Sequence, residues 1–197
     1  MTALRIWIGG LVLVFSFAAE ASPATSHVRE IAAAASRALN DLGKPLADRE
    51  RTAEATIRAG FDGERMARFS LGRFWPRQPS PARSGYIDAY QRWASRKIRP
   101  YIAAHHDQRF SIEGERPSGR GDVTVATAML GPADEARAAA FRVRTNAHGP
   151  LIVDVVLDGT SIALAHRAEF TRLAKRYGLA GLTLVLEARA GRLGVWP

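Results

Sequence analysis

The sequence predicts one α+β domain, with helices first, an antiparallel sheet second and helices last. Three observations carry this. Apolar residues recur at three- and four-residue intervals through the first half of the chain, they alternate from residue 110 to residue 157, and the helical period returns after Asp158-Gly159. At 197 residues the chain has the length of one domain with its own core, expected over residues 22–197.

Residues 1–21 are read as a signal peptide, the alternative being an uncleaved N-terminal anchor. Arg5 precedes an apolar run over residues 6–19, and Ala19-Glu20-Ala21 has the small-x-small pattern of a signal-peptidase site. The run is too short for an ordinary membrane span, which needs ~20 apolar residues. Export places the domain in the periplasm of a Gram-negative cell.

The first helix follows from a stripe of Val28, Ile31, Ala32, Ala35, Ala38, Leu39 and Leu42, closed by Gly43 with Pro45 beyond it. A second, strongly charged helix is expected over residues 46–59. A third over residues 61–75 carries Met66, Phe69, Leu71 and Phe74 and stops at Pro76. Ser80-Pro81 pairs a capping residue with proline at the first helical position. It opens a long helix through Tyr86, Tyr90, Trp93, Ile98, Tyr101 and Ile102, which Pro100 should kink or end early.

Four strands follow. Phe110 and Ile112 begin the first; Val123, Val125, Thr127 and Met129 form the second; Ala139, Phe141, Val143 and Thr145 the third. The fourth, Leu151, Val153, Val155 and Leu157, places those residues on one face. The connecting segments 117–121, 131–135 and 147–150 are short and turn-like, so the sheet is an antiparallel meander. Gly159 supplies the backbone freedom of a sharp turn, and Ser161 is placed to cap the next helix. Along that helix Ala163, His166, Phe170, Leu173, Ala174 and Tyr177 form one face, and a last helix covers residues 179–189. The sheet side chains are mostly Val, Ala and Thr. Such short linings leave room for a ligand under the helices or allow close helix packing, and the residues leave both open.

Composition narrows the chemistry. The formal charge is +9 and the pI about 10.9, largely from arginine. An exported basic chain is expected to meet phospholipid headgroups, lipopolysaccharide or an acidic protein surface rather than nucleic acid. Arg92, Arg96, Lys97 and Arg99 are candidate contacts, with a solvated helix face as the plainer role. The chain has no cysteine, which removes disulfides, thiolate catalysis, thiolate metal sites and diacylation.

No enzyme, metal or cofactor is expected. Ser161, His166 and Asp154 have the side chains of a hydrolase triad, but a capping serine points at its own helix backbone, and His166 lies about 140° around the axis. No G-x-S-x-G elbow is present. Asp154 fits better as a cross-strand partner of Arg142 and Arg144. His105-His106-Asp107 lacks a second ligand cluster.

Several stretches in order resemble one family. Leu71-Gly72-Arg73-Phe74-Trp75 looks like its Leu-Gly-x-aromatic-aromatic element, followed by the aromatic-spaced helix from Tyr86 to Tyr101 and by Phe110-Ser111-Ile112. Then come Asp154-Val155-x-x-Asp158-Gly159-x-Ser161, Arg167-x-x-Phe170 and Gly178-x-x-x-Leu182. Together they resemble the MlaC-like periplasmic lipid carriers, also called toluene-tolerance auxiliary components, over about residues 30 to 190. The segments 157–161 and 164–170 look most like the hopanoid-associated HpnM branch. Two departures are Leu151-Ile152, where an aromatic residue often stands, and His166 before the motif arginine.

The resemblance implies a curved sheet flanked by helices that enclose an apolar pocket. It implies a monomeric shuttle that holds a phospholipid or a hopanoid-type lipid and passes it between a membrane-anchored ABC-transporter component and an outer-membrane lipoprotein complex. The expected lining is Leu71, Phe74, Trp75, Tyr101, Val125, Phe141, Val143, Val153, Val155 and Phe170. Arg167 and Asp154 are expected as framework residues. The residues leave one alternative, a non-enzymatic adaptor with a filled core that binds an acidic protein.

Overall fold

Asp158 and Gly159 have φ of 47° and 79°. Positive φ at both central residues is the geometry of a two-residue type I′ hairpin turn, which Asp-Gly favours. The turn therefore returns the chain as a short strand before the helix starts, and the sheet gains a fifth member that two residues were too few to announce.

The computed structural model describes residues 21–104, 109–130 and 136–193, with the side chains of 98–104, 109, 129, 130, 136, 137, 192 and 193 left aside. Residues 1–20 of the expected signal peptide, His105-His106-Asp107 and the side chain of Tyr101 lie outside the described residues. Strands β1 (Arg109–Ser118), β2 (Asp122–Leu130), β3 (Ala136–Asn146), β4 (Gly149–Leu157) and β5 (Thr160–Ser161) form one antiparallel sheet in sequence order. The α+β class and the meander are as the sequence predicts.

Register corrects one expectation. Phe141 faces Val125 on one side and Val155 on the other, and Val143 faces Val123 and Ile152. A bulge between Arg142 and Val143 sets one extra residue, Val153, into β4. Ile152 therefore joins Val155 and Leu157 on the apolar face, and Leu151 and Val153 leave it.

Helix α1 (Pro23–Asn40) starts with proline at its first turn, and the Ser22 hydroxyl accepts the Thr25 N–H at 3.2 Å. It ends before Leu42, which is left 82% exposed. Helix α2 (Leu46–Gly60) packs on α1, and Asp62 then donates its N–H to the Ile152 carbonyl at 2.9 Å, tying this connection to β4. The expected third helix is two pieces. Helix α3 (Gly63–Leu71) stops at Gly72, whose φ is 51°, and residues Gly72–Arg77 form a 3₁₀ helix with Pro76 inside it.

Helix α4 (Ser80–Ala104) runs on through Pro100 rather than ending there. Helix α5 (Ile162–Leu193) breaks at Gly178, with φ 69° and ψ 179°, so the two expected C-terminal helices meet at one residue. Tyr177, next to that break, is 50% exposed instead of sharing the buried face.

Two cores result. Helices α3, α4 and α5 enclose Leu71, Tyr86, Tyr90, Trp93, Phe170 and Leu182. Helix α1 and the sheet enclose Ala24, Val28, Val125, Val143, Ile152 and Val155. Phe61, in the connection from α2 to α3, packs against both.

Candidate functional site

The structure divides the expected lipid lining between the two cores. Leu71 and Phe170 are fully buried among the helices, with Phe74 and Trp75 half-buried at the edge of that core. Val125, Val143 and Val155 are buried on the sheet under α1, and Phe141 is half-buried beside them. Val153 is buried at the bulge and belongs to neither cluster. Tyr101 lies outside the described side chains.

The sheet face is the more open of the two. Helix α1 places only Ala24 and Val28 as buried apolar contacts on it, while Phe110, Ile112, Val123, Phe141 and Leu157 remain partly exposed. Phe110, Ile112 and Leu157 were legible as strand residues of the right parity, but nothing local marked them as site residues. The start of α1 is held by side chains alone, since the Ser22 hydroxyl and the Thr25 hydroxyl, at 2.6 Å, both donate to Glu115 of β1. These two bonds keep the Glu115 carboxyl below its ordinary pKa.

The other face is polar and tightly paired. Asp154, 3% exposed, accepts the Ala163 N–H at 2.9 Å and the Ser161 hydroxyl at 2.6 Å. The same Ser161 oxygen accepts the Leu164 N–H at 3.1 Å and so caps α5, as the sequence predicts. Arg142 reaches Asp154 at 3.5 Å, whereas Arg144 pairs with Asp122 instead, with Nη2 at 2.8 Å from Oδ2. Ser161 and Asp154 thus fasten α5 to β4.

His166 is committed elsewhere. Its Nδ1 is hydrogen-bonded to the Tyr90 hydroxyl at 3.0 Å, and its ring stacks on Phe170 with centroids 5.4 Å apart. Burial, and then the nearby Lys97 charge, lowers its pKa to about 4, so the imidazole is neutral at pH 7. Burial likewise pushes the Tyr90 and Tyr86 hydroxyls above their usual range. Tyr86 is paired with Ser70 at 2.6 Å. Among the described residues no group of three or more His, Asp or Glu side chains is arranged to hold a metal ion.

The basic residues of α4 have internal partners. Arg92 pairs with Glu187 at 3.5 Å, Arg96 with Glu54 at 3.4 Å and with the Ala190 carbonyl at 3.1 Å, and Lys97 lies over the Trp93 ring at 5.0 Å. The two arginines brace α4 against α5 and α2, Lys97 stays within α4, and Arg99 lies outside the described side chains.

A second basic surface was not visible in the sequence. It forms where the Leu71-to-Trp75 and Arg167-x-x-Phe170 motifs meet. The Arg167 guanidinium lies over the Phe69 ring at 4.9 Å and crosses Gly72, where a Cβ would come within 3.1 Å of its Nη2. Both this approach and the positive φ call for glycine at 72. Arg68 and Arg83 lie over Trp75 at 5.5 and 5.4 Å. An open groove of about 520 Å³ runs beside them, lined by Asp62, Glu64, Arg65, Arg68, Phe69 and Trp75.

Among the described residues no helix is long and apolar enough to cross a membrane. No curated protein sequence matches the chain. Among solved structures, the fold matches a phospholipid-binding protein from Ralstonia solanacearum, solved in complex with a phospholipid. The TM-score is 0.76 and the identity 19%, over 88% of this chain and all of that one. The family model described as MlaC protein matches residues 29–188, which spans every segment of the family resemblance quoted above. The chain therefore belongs to the MlaC protein family.

Proposed function

We propose that this protein is a periplasmic lipid carrier, and that the apolar sheet face under α1 holds the acyl or polycyclic part of the lipid. The half-covered face carries the reading. In a member of the MlaC family whose fold matches a phospholipid-bound protein, a Val-rich sheet is covered by a helix that contributes only Ala24 and Val28 as buried apolar contacts. Each buried methylene is worth about 0.8 kcal/mol, so about ten of them outweigh the few kcal/mol that two small side chains gain on the sheet.

Lipid then enters by displacing α1 from the sheet, with Val125, Phe141, Val143 and Val155 against its chain and Phe110, Ile112 and Leu157 at the mouth. Leu71, Phe74, Trp75 and Phe170 belong to the helical core, Val153 sits at the bulge of β4, and Tyr101 is expected as a further lining residue. The function is binding and transfer, with no catalytic step. The carrier works as a monomer between an ABC-transporter component at the inner membrane and a lipoprotein complex at the outer membrane, with phospholipid or a hopanoid as cargo. Removal of residues 1–21 leaves Ser22, the cap of α1, as the first residue.

Native mass spectrometry with lipid extraction tests this on the full chain expressed in a Gram-negative host. The expected result is a processed protein carrying one or two lipids. A lipid-free mass that stays unshifted when phospholipid or hopanoid is added would overturn the reading in favour of an adaptor with a filled core.

A further inference from the structure

The geometry points to the surface around the 3₁₀ helix as a docking site for an anionic lipid bilayer. Six arginines gather there: Arg65 and Arg68 on α3, Arg73 and Arg77 on the 3₁₀ helix, Arg83 on α4 and Arg167 on α5. Among the described residues none of the six forms an ion pair with a carboxylate, whereas Arg92, Arg96, Arg142, Arg144 and Arg189 all do. Among the described residues Arg37, Arg116 and Arg120 also lack such a pair, and what sets these six apart is that four of them lie over aromatic rings on one surface.

Their placement suits a headgroup layer. Arg68 and Arg83 lie on Trp75 at 5.5 and 5.4 Å, Arg73 on Phe74 at 5.6 Å and Arg167 on Phe69 at 4.9 Å. All three rings are half-buried, so each offers an apolar edge between cations. Guanidinium is weakly hydrated, stacks on aromatic faces and still presents N–H donors to phosphate. Tryptophan bodies with a wet rim are the side chains that settle at a bilayer interface.

The surface is also held in place. Arg83 donates to the Gln78 carbonyl at 2.7 Å and to the Pro76 carbonyl at 3.1 Å, which fixes the end of the 3₁₀ helix beneath Trp75. Two acids line the same groove as Arg65 and Arg68: Asp62, which accepts the Arg65 N–H as the cap of α3, and Glu64.

A bilayer fits this surface better than an acidic protein does. The positive charge spreads over four elements, and the open groove beside it carries Asp62 and Glu64 as well as Arg65 and Arg68, which disfavours a fixed set of partner carboxylates, whereas a fluid anionic surface adapts its phosphates to such a spread. The inference goes beyond the carrier reading, because docking here does not depend on where lipid is held internally.

Flotation with large unilamellar vesicles tests it. The protein is expected to bind vesicles of phosphatidylcholine with 30% phosphatidylglycerol, to ignore pure phosphatidylcholine, and to be released by 0.5 M NaCl. Arg68→Gln/Arg73→Gln/Arg77→Gln should weaken binding by about a hundredfold, since each basic residue near an anionic surface contributes roughly a fivefold factor. Arg37→Gln/Arg116→Gln/Arg120→Gln, which removes equal charge elsewhere, should weaken it far less. Tryptophan emission should shift to the blue on the anionic vesicles, and Trp75→Phe should remove that shift. Unchanged melting and extracted lipid content in both triple variants separate a docking defect from a folding or carriage defect. Absence of binding to anionic vesicles, or equal loss in the two triple variants, would overturn the proposal. So would capture by a purified acidic protein without any vesicle binding.

Discussion

The helical core and the sheet core are built from different residues and close to different degrees. Among the helices Tyr86, Tyr90, Trp93, His166 and Phe170 interlock as tilted and edge-to-face rings, with Leu71, Leu182 and Leu186 filling the remainder. The Tyr86 hydroxyl is paired with Ser70, and the Tyr90 hydroxyl with His166 Nδ1. Between α1 and the sheet the buried side chains are Ala24, four valines and Ile152, and the aromatic and aliphatic residues at the border stay half-exposed. Rings packed on rings lose much when parted, whereas Ala and Val of one helix against a sheet lose little. One core is fitted to hold the fold, and the other to exchange contents.

Truncation should break this contrast most visibly. Phe170→Ala, in the closed core, should cost about 3–5 kcal/mol in urea unfolding. Phe141→Ala, half-buried on the sheet, should cost ~1–2 kcal/mol but lower the lipid content of the folded protein. Equal stability losses, or lipid lost only in the Phe170 variant, would contradict the division.

The next effect is on pH dependence. His166 has a folded-state pKa of about 4, below its unfolded value, so the unfolded chain binds the extra proton. Its contribution is complete above pH 6.5 and is lost as the pH falls towards 4, by up to about 3 kcal/mol. Unfolding curves across that window should show the slope, and His166→Gln should flatten it. Glu115, whose pKa is lowered, acts with the same sign in a more acidic range, because its stabilisation is present above the ordinary glutamate pKa and is lost below it. Smallest is Gly72→Ala. With φ at 51° the new side chain is strained, and Arg167 must shift, so about 1–2 kcal/mol of stability should go, read as a lower melting temperature.

Much of the fold was legible because its signals are local. Asp158-Gly159 and the Ser161 cap act within a few residues, and the strands alternate cleanly. One error has a local cause and another a pairing cause. Gly72 divides α3 from the 3₁₀ helix, yet a glycine inside an apolar stripe reads as helix. The bulge at Val153 depends on how β3 pairs with β4, and that register changes which residues share a face. Site assignment was less legible. Leu71 and Val125 look alike as buried apolar residues, and only tertiary packing assigns them to different cores. The contact of Arg167 with Phe69 and Gly72 joins distant segments, so the motifs could be named from the sequence but not seen to touch.

The most direct test of where lipid sits is photocrosslinking from p-benzoylphenylalanine placed at Phe110 or Phe141 on the sheet, compared with Leu173 at the helical core. Illumination of protein purified with its native lipid should give a lipid adduct at Phe110 and Phe141 and none at Leu173. Adducts at Leu173 alone, or at none of the three positions, would contradict a lipid held on the sheet.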